Sequence, residues 1–254
     1  MPENTDAVPA SAPSAGRAVL ITGASSGVGR ALALRFAATT ARLVLIGRDA
    51  ARLEAVAAEV ESRGARAECE LVEFDDKAAV DQLGARLAAR LPAIAALLHC
   101  AGSFAEGSIA ALPADELDRL LSVNLRAPYV LTRALLGALQ AGPGDVVFIN
   151  SSVVGQRRAG LAVYASSKAG LVAVADSLRQ EMNPLGVRVL SVFLGATATA
   201  MQEQIHAQAA RTYRPEALLQ PSEVAQIVHA ALELPRGAEV TDLHLRPATA
   251  HRAS

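Results

Sequence analysis

Apolar residues recur along the chain in two alternating rhythms. Short apolar runs fall at 18–22, 43–46, 70–74, 94–100, 145–150, 187–194 and 240–245. Between them lie Ala-, Leu-, Arg- and Glu-rich segments with helical spacing, at 28–39, 50–63, 77–90, 114–139, 162–183 and 222–234. Continuous apolar runs suit strands buried on both faces, as in a parallel sheet covered by helices. Strict alternation of strand and helix therefore predicts an α/β fold, a doubly wound parallel sheet in three layers. The connections are short, as crossovers within one domain require. Residues 1–16 are rich in Pro, Ala and Ser and lack periodicity, so they read as a flexible tail before a single domain at 17–254. The longest stretch without a pattern, 195–213, follows a strand end and is a candidate lid.

Composition narrows the function classes. At 52% hydrophobic and 19% charged the chain can bury a core and is not a disordered polypeptide. Its 24 basic and 25 acidic residues nearly cancel, which gives no global attraction to nucleic acid or to an anionic membrane. Aromatics at 3%, with no Trp, argue against stacking platforms for single strands. No apolar stretch reaches the ~18 residues of a membrane span. The tail shows no early positive charge or apolar run, so no signal peptide is expected. Two cysteines, Cys69 and Cys100, are too few for a disulfide framework and suit a reducing, cytoplasmic setting. His99, His206, His229, His244 and His251 show no paired metal-ligand spacing, so no metal site is expected. Lys77 and Lys168 are the only lysines, which makes each conspicuous.

The first strand is followed by Thr22-Gly23-Ala24-Ser25-Ser26-Gly27-Val28-Gly29 and then a helix. Glycines here allow a tight turn and a close approach of backbone to phosphate. The helix start adds free N–H groups and the positive end of its dipole. Gly23, Ser25, Ser26, Gly27, Val28 and Gly29 are thus candidate pyrophosphate contacts, against the plainer alternative of a glycine-containing turn. The second strand ends at Gly47-Arg48, where an NAD-binding chain usually places a carboxylate for the ribose 2′-hydroxyl. A guanidinium at that point suits a 2′-phosphate. Arg30 is the competing candidate, and Asp49 reads as a helix start.

Tyr164 and Lys168 stand four apart at the start of a long helix, and so share a face. A cation there is expected to favour the phenolate and bring the phenol toward useful proton transfer. Asn150-Ser151-Ser152 ends the preceding strand and can offer a hydroxyl to a carbonyl oxygen. Asn124 is a poor helix former inside a helical segment, and is either a satisfied core amide or the holder of a water near Lys168.

These pieces occur in the order and spacing of the short-chain dehydrogenase/reductase family, and the chain resembles its compact form from about 17 to 247. The match is carried by Thr22 to Gly29, then Ala101-Gly102, Asn124, Ser152, Tyr164 and Lys168. The resemblance implies a Rossmann-type sheet of seven strands, NADP(H) as cofactor and oxidoreduction of a small carbonyl or alcohol. It implies Tyr164 as acid/base, Ser152 orienting the substrate oxygen, Lys168 on the nicotinamide ribose and Asn124 holding a water. Ala101 and Gly102, Glu73 near the adenine, and Thr197 and Thr199 complete the implied cofactor contacts. It also implies a homodimer or homotetramer built on 114–139 and 162–183.

Four departures stand out. The usual Asn-Asn-Ala-Gly is His99-Cys100-Ala101-Gly102, and Cys100 is expected to pack rather than react. Pro-Gly after the sixth strand is Leu194-Gly195. The Ser152–Tyr164 interval is one residue short, which leaves Ser151 as the alternative. The adenine-side acid is Glu73 where Asp is usual. The substrate pocket is expected at 102–108, 152–161 and 195–213, with Arg157 and Arg158 toward solvent and His206 on the surface. The alternatives are a catalytically silent nucleotide-binding regulator or scaffold, whose expected broken Tyr/Lys/Ser set is absent, and a sugar-nucleotide enzyme, which lacks room for its extra lobe.

Overall fold

The computed structural model describes residues 17–156 and 158–248. The tail expected at 1–16, Arg157 and residues 249–254 lie outside the described residues. Seven strands form one sheet: β1 (Ala18–Thr22), β2 (Arg42–Gly47), β3 (Arg66–Leu71), β4 (Ile94–His99), β5 (Asp145–Ser151), β6 (Arg188–Leu194) and β7 (Asp242–Leu245). All neighbours are parallel, in the order β3-β2-β1-β4-β5-β6-β7. The helices are α1 (Gly27–Phe36), α2 (Ala50–Glu61), α3 (Lys77–Arg90), α4 (Ala114–Leu121), α5 (Ala127–Ala141), α6 (Ala162–Met182), α7 (Ala200–Gln208) and α8 (Pro221–Leu232). The chain order reverses between β1 and β4, which opens a crevice at the carboxyl ends of these strands.

Alternate strand residues feed two cores, one on each face. Leu20, Val44, Leu97, Val146 and Phe148 pack with Leu131 of α5 and Leu171 of α6. Ile21, Leu45, Leu98 and Val192 pack with Leu32 of α1 and Val224 of α8. Every residue of β1 and β6 is buried, as continuous apolar runs require.

Three elements differ from the sequence expectation. The third strand is Arg66–Leu71, not 70–74, because it is the sheet edge and carries Glu68 and Glu70 instead of an apolar run. Arg42 holds Glu68 at 2.9 Å and Arg90 holds Glu70 at 2.9 Å, so charge pairs replace packing there. The helix expected at 114–139 is broken by a π-turn over Ser122–Arg126. The 195–213 stretch contains a helix, α7. At the opposite end of the sheet, buried Arg188 binds Asp145 at 2.8 Å and donates to the carbonyls of Leu232, Leu234 and Ala238. This fastens the end of α8 beneath β5 and β6.

His99, at the end of β4, is 2% exposed and stacks on Phe148 with ring centroids 5.1 Å apart. Its Nε2 meets Thr132 Oγ1 at 2.8 Å, while Nδ1 is buried without a partner. Burial holds its pKa down at about 3 against an ordinary 6.5. Between these values the unfolded chain binds a proton that the native state refuses, so stability falls as pH drops through that window. The slope from this group is up to about 1.4 kcal/mol per pH unit. His99→Asn cannot titrate and should lose less stability than the parent between pH 7 and pH 5 in urea unfolding. Equal losses would exclude His99 as the source.

Candidate active site

The crevice is closed at its base by contact between two loops. Thr22 Oγ1 accepts hydrogen bonds from Cys100 N at 3.0 Å and Ala101 N at 3.1 Å. Cys100 stands where an amide is usual, and this hydroxyl ties its strand to β1. Gly23 has φ +65°, and a Cβ there would lie 2.8 Å from Ala101 Cα, so only glycine fits. Gly29 likewise has no room for a Cβ against the Gly23 carbonyl. Ser26 is the N-cap of α1, but its side chain does not bond the first-turn N–H groups. Ser25, Ser26, Gly27, Val28, Gly29, Ala101 and Gly102 all line the cleft.

Beside this turn, Arg48 and Glu73 also line the cleft. They approach to 3.8 Å, with side chains 74% and 57% exposed. Arg30 points away and is held by both oxygens of Glu59 on α2, each at 2.7 Å. Of the two arginines weighed from the sequence, only Arg48 is in the cleft lining.

Tyr164 lies in the first turn of α6, half-buried, and the ring of Phe104 meets it edge-on at 5.0 Å. Of the two serines weighed from the sequence, both line the cleft, and Ser151 is the one whose hydroxyl acts on the phenol. β5 runs one residue further than expected, so Ser151 ends the strand, and Ser152 opens a 3₁₀ turn along the cleft wall. Val153 N donates to Ser151 Oγ at 3.2 Å, which leaves the Ser151 hydroxyl proton for the phenol.

Burial raises the Tyr164 pKa, and Ser151 partly offsets this. The expected lowering by Lys168 is not what governs the phenol. Lys168 is 5% exposed and donates to Ile149 O at 3.0 Å, on the sheet side of the helix. Burial lowers its own pKa to about 8. The neighbouring Cys100 thiol is pushed up to about 12, so it is a packing group and not a thiolate. Asn150 joins strand to helix, accepting from Ser151 N at 2.8 Å and donating to Lys168 O at 3.3 Å.

Asn124 sits in the π-turn and is fully buried. Its Oδ1 accepts from Ser103 N at 2.8 Å, and its Nδ2 donates to Ser103 O at 2.9 Å and to Ser167 Oγ at 3.0 Å. Its side-chain amide thus joins the loop after β4 to α6. The Asn124 and Lys168 side chains meet around Gly102, where a Cβ would lie 3.6 Å from Asn124 Oδ1 and 3.8 Å from Lys168 Nζ. Thr199 caps α7, and Thr197 binds Gly195 O at 2.9 Å. Thr199 also flanks Gly27, so the loop after β6 covers the glycine turn. His206 is not on the surface: it is 7% exposed, bonded to Gln202 O at 2.8 Å, and lines the cleft, because α7 turns this face inward. Arg158 lines the cleft as well. The whole cleft has a volume of about 660 Å³.

Sequence reasoning placed Ser103 and Phe104 only within the pocket segment 102–108, and missed Arg119 and Ser167. Ser103, Phe104 and Arg119 belong to no spaced motif, and only folding brings them around Tyr164 and Asn124. The serine assignment is open to a direct test. Ser151→Ala removes a donor that favours the phenolate, so the Tyr164 titration midpoint should rise, while Ser152→Ala should leave it in place. Spectrophotometric titration against Tyr164→Phe reads the difference, and the opposite pattern would assign the phenol's partner to Ser152.

Comparison with known proteins agrees with this geometry. Residues 17–210 match the family model described as short chain dehydrogenase. The 2,3-dihydro-2,3-dihydroxybenzoate dehydrogenase of Bacillus subtilis is 28% identical, over 84% of this chain and 87% of that protein. Sepiapterin reductase of Chlorobaculum tepidum is 28% identical, over 90% of this chain and 95% of that one. Among solved structures, an alcohol dehydrogenase from Thermococcus sibiricus complexed with 5-hydroxy-NADP has a TM-score of 0.81 at 25% identity, covering 91% of this chain and 97% of that one. A short chain dehydrogenase from Burkholderia cenocepacia in complex with NADP has a TM-score of 0.79 at 32% identity, covering 91% and 96%. A family match across most of the domain, on a seven-stranded parallel sheet with the glycine turn and Tyr164 at its carboxyl edge, makes this chain a member of the short-chain dehydrogenase/reductase family.

Proposed function

We propose that the protein is an NADP(H)-dependent oxidoreductase acting on a carbonyl or secondary alcohol, with Tyr164 as general acid/base. The observation that carries it is a half-buried phenol with Ser151 and Lys168 around it, in a cleft whose other end is a glycine cradle flanked by Arg48. The cradle fits a dinucleotide: Gly23 and Gly29 exclude side chains, and α1 keeps its first-turn N–H groups clear of the Ser26 side chain. Gly23 to Gly29 would hold the pyrophosphate, Arg48 the 2′-phosphate, and Glu73 would stand near the adenine. Ala101, Gly102, Thr197 and Thr199 would line the remainder, with Lys168 and Tyr164 toward the ribose. Relatives crystallised with NADP support the choice of cofactor.

When bound, the nicotinamide supplies or accepts the hydride. Tyr164 gives its proton to the developing alkoxide, or takes one from an alcohol in reverse. Ser151 orients the substrate oxygen in the role that the resemblance gives to Ser152. Lys168, with its pKa lowered to about 8, holds its charge at neutral pH. Asn124 keeps the loop after Gly102 in place.

The test is kcat/KM with NADPH and NADH, on a carbonyl compound found by an NADPH-oxidation screen of ketones, aldehydes and quinones. Tyr164→Phe should lower turnover by ~10²-fold or more. Arg48 is exposed, which favours the low end of a charge-assisted bond, so Arg48→Ala should reduce the NADPH preference roughly tenfold. NADH use should be nearly unchanged, and Arg30→Ala should not alter the ratio. A Tyr164→Phe enzyme at near-parental rate excludes the acid/base assignment, and a parent preferring NADH excludes the cofactor assignment.

The resemblance also supports a homodimer or homotetramer formed through α5 and α6, and Tyr129 on α5 is 51% exposed. Light scattering should then give two or four times 26.2 kDa. A particle of monomer mass at micromolar concentration would reject it.

A further inference from the structure

We propose that Arg119 is a positioning residue for Tyr164, acting through Ser103. Arg119 projects from α4 and grips both oxygens of Glu116, at 3.0 Å and 2.8 Å. This fork aims the remaining nitrogen, Nη1, which donates to Ser103 Oγ. The Ser103 backbone is already clamped on both sides by the Asn124 amide. Ser103 is therefore held at three points, and two routes lead from it to the tyrosine.

The first route is the backbone. Asn124 Nδ2 donates to Ser167 Oγ at 3.0 Å, and Ser167 in turn donates to the carbonyl of Tyr164 at 2.8 Å. The second route is the ring of Phe104, the next residue along, which covers the phenol edge-on at 5.0 Å. Among the described residues the next backbone anchor on this loop is Gly107 N, bonded to Gly160 O at 2.9 Å. Phe104 thus hangs between Ser103 and Gly107, and its hold on Tyr164 depends on how firmly Ser103 is fixed.

A role in overall stability accounts poorly for Arg119. Its side chain is 34% exposed, and a half-buried pair three residues apart on one helix adds little to folding. The Ser103 bond instead places the guanidinium behind a loop that lines the cleft. Loosening it should admit water to the phenol. Burial is the largest influence on that group and Ser151 the other, while the Lys168 ammonium is directed to Ile149 O.

The proposal rests on the acid/base reading only for its consequence on rate, so its test reads the phenol itself. The chain has three tyrosines and no Trp, so phenolate absorbance is uncluttered, and subtracting the Tyr164→Phe curve isolates Tyr164. Arg119→Ala and Ser103→Ala should each lower its midpoint, by about one pH unit for a partly rehydrated group. Ser103→Ala changes no charge, so a shift common to both reports hydration. The double variant should shift no further than the larger single shift, because both act on one link. NADPH affinity, read by its fluorescence, should stay within about twofold of the parent in every variant. An unchanged midpoint in Ser103→Ala overturns the proposal, whether or not Arg119→Ala folds. A shift in Arg119→Ala alone, or shifts that add in the double variant, overturn it as well. Failure of the parent to bind NADPH would count against the proposed function and leave the phenol result standing.

Discussion

One hydroxyl and one missing side chain hold the two halves of the sheet at the point where the site forms. Thr22 Oγ1 takes the N–H groups of Cys100 and Ala101, and Gly23 lies against Ala101 where no Cβ fits. β1 and β4 are the neighbours between which the winding reverses. Their following loops run in opposite directions, and the crevice between them exists only while the strand ends stay together. The glycine turn, the Ala101-Gly102 floor and the Asn124 clamp on Ser103 are all placed from that junction. A substitution adding volume at Gly23 would part the loops as well as fill the nucleotide cradle.

Around the junction, burial sets the chemistry more strongly than neighbouring charge does. Tyr164 and Lys168 share a helix face, yet each is shifted mainly by exclusion of water, the phenol upward and the ammonium downward. Both shifts favour the neutral form, as a low dielectric demands. Ser151 works against the trend at the phenol, because its hydroxyl favours the phenolate. His99 and Cys100, just beneath, are neutral packing groups for the same reason. At the phenol, exclusion of water lets a proton be held on one atom.

Where apolar burial runs out, paired charge takes over. The edge strand β3 carries glutamates gripped by arginines from β2 and α3, and the end of α8 is fastened by Arg188 and Asp145. Charge on an exposed edge also discourages pairing with another sheet. These features explain why hydrophobic patterning misplaced β3 while locating the six other strands.

The sequence by itself determined the layers and most of the candidate site's inventory. Continuous apolar runs and helical segments in alternation allow little besides a covered parallel sheet. The glycine turn and Arg48 directly follow strand ends, and Tyr164 and Lys168 lie one helical turn apart on α6, so local spacing was enough to propose them. Tertiary structure decided whatever depends on where a side chain points. The approach of Ser151 to the phenol follows from one extra residue of β5, because a one-residue change reverses side-chain direction in a strand. Asn124 became a clamp because a π-turn aims it at Ser103, and Arg30 was removed from the cleft by Glu59 on another helix. Phe104 and Arg119 reach Tyr164 and its supports from positions with no common period. Contacts of that kind arise from packing between elements, and a linear pattern carries no trace of them.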